Sequence, residues 1–307
     1  MNITSLLNAM PGAVAQGLIW GIMAIGVYIT YKVLDLADLT VDGTMATGGA
    51  VCVMLMLNGV NVWLSLLCAI VAGMLAGLVT GIFHTAMGIP PILSGILTQL
   101  SLYSVNLAIM DFKANQGINV TKYPLIVSQR NVRTLGWGNP IFTTLIILAV
   151  LIALLYWFFG TELGSSLRAT GANTAMSRAQ GISTNVTKIL GLMISNGIVA
   201  LSSAMLAHYQ GFVDVNMGRG AIVIGLAAVI ISDVLFGRLF RNFALKLLGV
   251  AIGAVIYYIV IQIVLWLGLN TNLLKLLSAL IVAVFLAIPY WKAGAAARFW
   301  KGGRRNA

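Results

Sequence analysis

The sequence predicts an all-α protein that is embedded in a membrane and has about nine transmembrane helices. Of its 307 residues, 60% are hydrophobic and only 8% are charged, and the mean hydropathy is +0.99. A soluble domain carries roughly 25% charged residues, so this composition indicates a chain that lives in lipid. Runs long enough to cross a bilayer, which takes about 20 apolar residues, recur along the chain with short connections. We therefore expect residues 1–307 to form a single transmembrane domain.

Apolar runs between charged or glycine-rich and proline-rich connections mark the helices. We predict helices at residues 13–31, 44–57, 62–87, 92–110, 140–159, 187–210, 220–236, 245–268 and 273–291. The second run is short and rich in glycine at its start, so we expect its helix to begin earlier or to be broken.

The distribution of lysine and arginine predicts the orientation in the membrane. Basic residues concentrate in the loop 160–188, in the loop 237–246 and in the tail 292–307. The number of spans between these segments puts all three on one side, which the positive-inside rule makes the cytoplasm. The N-terminus and the external loop 111–139 then lie outside, although that loop is also basic. Because the net charge of +11 is explained by loops beside apolar runs, we expect no nucleic-acid partner.

Two similar corners suggest that the chain contains an inverted repeat of four helices each, about 13–110 and 187–291. LADLTVDGTMATGGAV at 36–51 follows the first span, and FVDVNMGRGAIVIGLAAV at 212–229 follows the sixth. Each places an aspartate and glycines before a glycine-rich apolar run. Inverted repeats with glycine-interrupted segments recur in transporters, where they mark the solute path. Close helix packing through small residues is the alternative explanation.

Three aspartates at these corners, Asp38, Asp42 and Asp214, are candidate gate residues. The alternative role for each is to cap the N-terminus of a helix, because a carboxylate accepts hydrogen bonds from the free N–H groups there.

The fourth span is the most polar and is the candidate lining of the solute path. Gln99, Tyr103 and Asn106 share one face at helical spacing, and Thr98 lies on the adjacent face. Ser195 and Asn196 in the sixth span are further candidates. Polar side chains in lipid turn inward, either to hydrogen-bond another helix or to line a cavity, and the sequence leaves both possibilities open.

The loop 160–188 is the long hydrophilic, basic segment between two apolar runs. Gly171 and Asn173 can start a short helix in it, and Gly181 can stop it. A small helix at the cytoplasmic face suggests docking to a soluble partner. An ordinary amphipathic cytoplasmic loop is the alternative.

Several catalytic motifs are missing from the sequence. It contains no G-x-x-x-x-G-K-[ST], so we expect the chain to bind no nucleotide itself, and it contains no H-E-x-x-H or G-x-S-x-G. Most acidic residues flank the spans, whereas an ion-coupled carrier needs an ionisable group in the membrane. A transport protein of this kind would take its energy from a partner.

Two segments resemble a known family. GLIWGIMAIGVYITYKVLDLADLTVDGTMATGGAV resembles the opening of ABC-importer permeases of the branched-chain amino acid and ribose type. The pattern R-A-T-G-x-N-x-x-M-S-x-x-x-G-I at 168–182 resembles the coupling loop of that family. ADLTVDGT and YQGFVDVNMGRGAIVIGLAAVI are similar to the branch paired with tryptophan/tyrosine-type binding proteins. The resemblance covers roughly residues 13–290.

The resemblance implies a permease subunit in a bacterial inner membrane, with the C-terminus in the cytoplasm. Two permease copies would pair, ATPase subunits would bind ATP and Mg²⁺ below them, and an extracytoplasmic binding protein would deliver a small solute, an amino acid, with an aromatic amino acid as the narrower expectation. The permease itself would hold no cofactor and catalyse no reaction. The residues that would couple to the ATPase are Arg168, Gly171, Asn173, Met176, Arg178, Gln180 and Gly181.

Two other functions are compatible with the residues. A stand-alone carrier or channel would move solute without any partner. A membrane enzyme would need a nucleophile or a metal site, neither of which is visible, and an assembly scaffold would not depend on the path residues.

Overall fold

A computed structural model describes residues 3–268, apart from positions 124, 134, 135, 137 and 238, together with isolated positions between 273 and 287. Helices make up most of these residues. The long ones are α1 (Ile3–Tyr28, extended by a π-helical turn, Ile29–Val33), α2 (Thr40–Leu57), α3 (Val62–Thr85), α4 (Pro91–Ile109), α5 (Pro140–Gly160), α8 (Thr184–Gln210), α9 (Ala221–Phe236) and α10 (Phe243–Trp266).

Among the described residues, seven helices are long and apolar enough to cross a membrane, and α9 is a shorter apolar helix. Eight of the predicted apolar runs are therefore helical. The ninth run, 273–291, falls largely outside the described residues. The predicted start of α1 is wrong, because the helix begins at Ile3 rather than at 13. α2 begins at Thr40, earlier than residue 44, as expected from the glycine-rich start of its run.

The two ends of the bundle carry different small elements. One end, here the α7 end, has α6 (Glu162–Ala172) and α7 (Thr174–Ala179). The other, the hairpin end, has β1 (Asn115–Gly117) paired antiparallel with β2 (Phe212–Asp214). The short 3-10 helix Gln129–Asn131 lies in the connection between β1 and α5. Residues 160–188 therefore form two helices, where the sequence predicted a single short one.

The packing partners of the two halves correspond to each other. α1 packs against α10, α8 and α9, and α8 packs against α3, α1 and α2. If α1, α2 and α3 are matched with α8, α9 and α10, each of these pairs has a counterpart. This correspondence is what an inverted repeat requires.

Helices of the two halves approach each other through glycines. Gly73 on α3 lies against the backbone carbonyl of Asn196 on α8, and a Cβ at Gly73 would come 2.5 Å from the Cβ of Ala200. A Cβ at Gly17 on α1 would lie 2.7 Å from the Cα of Val255 on α10. These contacts need glycine, because a methyl group would push the backbones apart.

Burial is concentrated on the central helices. In the most apolar stretch of α1 83% of residues are buried, and in that of α8 78%, whereas the values for α4 and α5 are 28% and 17%. α1 and α8 thus form the centre of the bundle, and α4 and α5 lie at its edge.

Candidate functional site

A buried aspartate and a buried asparagine join the first corner to α8. Asp38 is 3% exposed and lies in the non-helical segment between the π-helical turn and α2. Its carboxylate accepts a hydrogen bond from the backbone N–H of Thr40 at 2.9 Å and another from Nδ2 of Asn196 at 2.7 Å. Oδ1 of Asn196 accepts from the hydroxyl of Thr44 at 2.7 Å. A buried charge is tolerated when it is hydrogen-bonded in this way.

Three threonine hydroxyls continue this polar cluster through neighbouring helices. Oγ1 of Thr40 on α2 lies 2.7 Å from Oγ1 of Thr80 on α3, which donates to Oγ1 of Thr98 on α4 at 2.9 Å. All three side chains are at most 2% exposed. The start of α2 is therefore connected to α8, α3 and α4 by polar groups that no water reaches.

Asp42 links the first corner to the second. Its carboxylate accepts hydrogen bonds from the backbone N–H groups of Gly220 and Ile222, both at 3.0 Å. These N–H groups begin α9, so Asp42 caps a helix from the other half of the chain, and its charge opposes the positive end of the helix dipole. Asp214 has a local role instead, accepting from the N–H of Asn216 at 2.7 Å.

The predicted path residues fall into two groups. Four are fully or almost fully buried within the chain: Thr98, Asn106, Ser195 and Asn196. Ser195 donates to the carbonyl of Gly26 at 2.8 Å, and Nδ2 of Asn106 donates to the carbonyl of Gly43 at 3.4 Å. Among the described residues, Oδ1 of Asn106 has no hydrogen-bond partner. These four side chains hydrogen-bond other helices, which is one of the two possibilities that the sequence left open.

The other two path candidates reach the edge of the chain. Tyr103 is 42% exposed, and Gln99 is half-buried on the same side of α4. These two side chains are therefore partly accessible at the outer surface of α4, where lipid or another protein would contact them in the membrane.

At the α7 end, the predicted docking segment forms a short exposed helix with defined ends. The side chain of Asn173 accepts a hydrogen bond from the N–H of Met176 at 3.0 Å and begins α7. Gly181, with φ +82°, ends it in the left-handed conformation that glycine adopts easily. Met176 is 63% exposed and points away from the bundle. Gln180 closes the helix and is exposed.

Gly171 does not start α7 as the sequence suggested. It lies within α6, with its Cα against the backbone carbonyl of Val33, where no side chain fits. Its role is close packing, and it joins the π-helical turn to the segment that carries α7.

The two arginines of this segment differ. Nε of Arg178 donates to the hydroxyl of Thr184 at 2.8 Å, so Arg178 helps to fix α7 to the start of α8. Arg168 is exposed and lines a cavity at the α7 end.

A polar cavity of about 500 Å³ opens at the hairpin end. Among the groups that line it are Gln16, Gln129, Arg130, Arg133 and Gln262. Positive and amide side chains in an open cavity suit an acidic or strongly polar partner.

Several polar contacts were not predicted from the sequence. Thr40, Thr44 and Thr80 are isolated hydroxyls in apolar runs, and no periodic pattern marks them. Sγ of Cys52 lies 3.2 Å from Nε2 of His208, two residues that are 156 positions apart. Only the spacing of Asp38 and Thr40, typical of an Asx turn, was a usable local signal.

Comparisons with known proteins agree with this architecture. A family model described as branched-chain amino acid transport system / permease component matches residues 10–288. A tyrosine transport system permease protein from Clostridioides difficile is 39% identical over 281 residues, covering 92% of this chain and 91% of the relative. A fructose import permease protein from Bifidobacterium longum is 28% identical over 249 residues, covering 80% and 68%.

A solved structure supports the fold at lower identity. The PsaBC complex from Streptococcus pneumoniae, bound to a Fab, contains a chain that matches with a TM-score of 0.53 and 16% identity, covering 94% of this chain and 95% of that one. Its likeness concerns the fold alone. The family match covers most of the length, includes both aspartate corners and the α6–α7 segment, and agrees with the helical membrane architecture. The chain belongs to the permease component family of branched-chain amino acid transport systems.

Proposed function

We propose that the chain is the membrane-spanning subunit of an ATP-driven importer and that it moves a small solute, an amino acid, delivered by an extracytoplasmic binding protein. ATP and Mg²⁺ would be bound by a separate cytoplasmic ATPase. The observation that carries this proposal is α7, a capped and exposed helix at one end of a chain from a permease family.

The shape of α7 suits docking into a groove of another protein. Asn173 and Gly181 fix its two ends, so little conformational entropy is lost when a partner binds. Met176 offers a flexible apolar side chain that adapts to a groove. Gly171, packed on the carbonyl of Val33, provides a rigid connection from α6 to the end of α1, through which motion of an ATPase would reach the bundle.

The hairpin end suits an acidic partner. The segment 111–139 contains Lys113, Lys122, Arg130 and Arg133 against the single acid Asp111, a net charge of +3. We propose that a binding protein with an acidic surface docks here, over the cavity lined by Arg130 and Arg133.

The edge helix α4 suits a path between two permease copies. Tyr103 is 42% exposed, and Gln99, half-buried, lies one turn away at the border of the buried face of a helix that has to reside in the membrane. Polar side chains that face lipid are costly, so we propose that a second copy covers this side and that the two residues line the space between the copies.

The decisive experiment is co-purification of the detergent-solubilised permease with candidate ATPase subunits, comparing wild type with Met176→Glu. We expect the substitution to weaken ATPase binding by at least about tenfold, since a central anchor residue contributes about 2 kcal/mol to an interface. Met87→Glu is the matched control, because Met87 is also 63% exposed and lies in the α3–α4 connection at the same end. Equal ATPase binding by wild type and Met176→Glu would contradict the docking role of α7.

The class of solute needs its own measurement. With ATPase and binding protein present, we expect uptake of labelled tyrosine and none of labelled fructose, because the tyrosine-transport relative is 39% identical and the fructose relative 28%. Uptake by the chain alone in liposomes would favour a stand-alone carrier instead.

A further inference from the structure

A cavity of about 580 Å³ opens at the α7 end, between the end of α1, α6 and the start of α10. Five ionisable lysine, arginine and aspartate side chains line it: Lys32, Asp35, Arg168, Arg241 and Lys246. Four of them are cations and one is an acid. Such a concentration of positive charge in one concave site attracts anions.

Three of the four cations are free to bind a ligand. Lys32 is paired with Asp233, Nζ to Oδ2 at 2.7 Å. In the part of the chain that the structure describes, the side chains of Arg168, Arg241 and Lys246 form neither an ion pair nor a hydrogen bond, and all three are exposed. The acid Asp35 offsets one positive charge, so the site keeps an excess of cations.

The surroundings of the cavity indicate where the anion comes from. Large leucines are exposed on the same α9–α10 region that supplies Arg241 and Lys246: Leu235 is 52% exposed, Leu239 74% and Leu245 41%. Exposed leucines beside cations, at the end of a membrane helix bundle, place this region where acyl chains meet headgroups. An acidic protein surface would pair with the cations but would leave these leucines exposed to water.

We propose that this cavity binds the phosphate group of an anionic phospholipid, held by Arg168, Arg241 and Lys246. The planar fork of an arginine matches a phosphate through two parallel hydrogen bonds, and lysine adds a compact charge. The lipid would join α6 to α10 and to the end of α1. Because α6 leads directly into α7, lipid bound here would also hold the docking helix in place.

The test is lipid retention by the purified full-length chain. Permease in detergent is mixed with vesicles of phosphatidylglycerol or of phosphatidylcholine and repurified, and the retained phospholipid is measured by mass spectrometry. A parallel arm offers inorganic phosphate and measures both its binding and its displacement of the lipid. The test variant is Arg241→Gln with Lys246→Gln; the matched control is Lys113→Gln with Lys122→Gln, which removes the same charge from the hairpin end.

We expect phosphatidylglycerol to be retained in preference to phosphatidylcholine, and retention by the test variant to be roughly tenfold weaker, since each cation near the membrane contributes appreciably to anionic lipid binding. The control variant should retain lipid as wild type does, and Arg241→Lys with Lys246→Arg should restore retention. Helical circular dichroism and a single gel-filtration peak show that each variant is folded.

Other outcomes are equally informative. Binding of inorganic phosphate with the same dependence on Arg241 and Lys246 would keep the phosphate site but make free phosphate its ligand. Equal retention of both lipids, or no difference between variants, would overturn the proposal. If the test variant kept its lipid but bound an ATPase more weakly in a separate co-purification, the cavity would be a protein contact and the lipid proposal would be overturned. Since lipid retention is measured without an ATPase, its failure leaves the docking role of α7 unaffected.

Discussion

Asn196 is the buried side chain that joins α8 to two polar residues of the first corner, Asp38 and Thr44. It donates to Asp38, accepts from Thr44, and is itself 0% exposed. An amide is suited to this position because it carries a donor and an acceptor side by side. Asn196 therefore connects the non-helical segment before α2 to the middle of α8, and it supplies a hydrogen-bond donor to the buried carboxyl group.

Replacing Asn196 with alanine is expected to destabilise the protein by about 2–3 kcal/mol, because it leaves the buried carboxyl group of Asp38 and the buried hydroxyl of Thr44 with one partner fewer each. The measurement is the midpoint of thermal unfolding in detergent. Ser202→Ala is the control, since Ser202 is equally buried but makes a single bond to the carbonyl of Ile19, at 2.7 Å. If the two variants unfold at the same temperature, Asn196 does not have this role.

At this scale the sequence gives partial information. Asn196 and Ser195 stand out as polar residues in an apolar run, and the inward direction expected of them is observed. Their partners were not predictable, because Asp38 and Asn196 are 158 positions apart and hydropathy does not indicate which distant residues meet in the fold. The hydroxyls of Thr40 and Thr80 are missed for the same reason.

α2 and α9, with 18 and 16 residues the shortest of the long helices, are the elements that set this fold apart from a simple bundle. Each follows a non-helical segment that contains an aspartate, and each of these aspartates accepts from the N–H two residues ahead, Asp38 from Thr40 and Asp214 from Asn216. A helix that begins away from water needs partners for its first N–H groups. For α9 the partner is Asp42, which belongs to α2, so the first turn of α9 depends on a side chain of α2.

Asp42→Ala is expected to loosen the first turn of α9, because the N–H groups of Gly220 and Ile222 lose their acceptor. An N-cap contributes about 1 kcal/mol, which corresponds to roughly fivefold faster exchange of these amides. Hydrogen–deuterium exchange with mass spectrometry of the peptide around residue 220 measures it. Asp214→Ala serves as the control and should leave that peptide unchanged; protection that persists in Asp42→Ala would show that α9 has another cap.

Element boundaries were predictable where a local signal exists. Asn173 and Gly181 are residues that start and stop helices, and α7 lies between them. α6 was not predicted, because its polar composition resembles a loop, although Thr161 accepts from the N–H of Gly164 and begins a helix there. The early start of α1 was missed since polar residues in its first turns interrupt the apolar run, whereas the glycine-rich start of the second run indicated that α2 could begin before residue 44.

For the whole molecule, hydropathy predicts which segments cross the membrane but not how they are arranged. Every helix is apolar on most sides, because lipid and protein interior are equally apolar. What distinguishes α1 and α8 as central is contact through small residues, such as Gly73 against α8 and Gly17 against α10. The repeated glycine-rich corners were the sequence signal for an inverted repeat. In such a repeat α1 and α8 are equivalent helices, and their packing partners correspond.

The orientation of the bundle decides whether α7 can meet a cytoplasmic ATPase at all. Positive charge predicts that α7 is inside and the β1–β2 hairpin outside. We test this with Gln116→Cys at the hairpin end, where the side chain is partly exposed, and Gln180→Cys beside α7, where it is exposed, in a chain with Cys52 and Cys68 replaced by alanine. The chain is expressed without partner subunits in right-side-out vesicles, so that nothing covers either position.

A membrane-impermeant thiol reagent is expected to label Gln116→Cys directly and Gln180→Cys only after the vesicles are permeabilised. The physical reason is the cost of moving the basic loop 160–188 across the membrane, which keeps it on the side of synthesis. Labelling of both variants after permeabilisation shows that each cysteine is reactive. The opposite pattern would put α7 outside, and it would exclude docking on an ATPase and leave the hairpin end, with its basic cavity, as the cytoplasmic face.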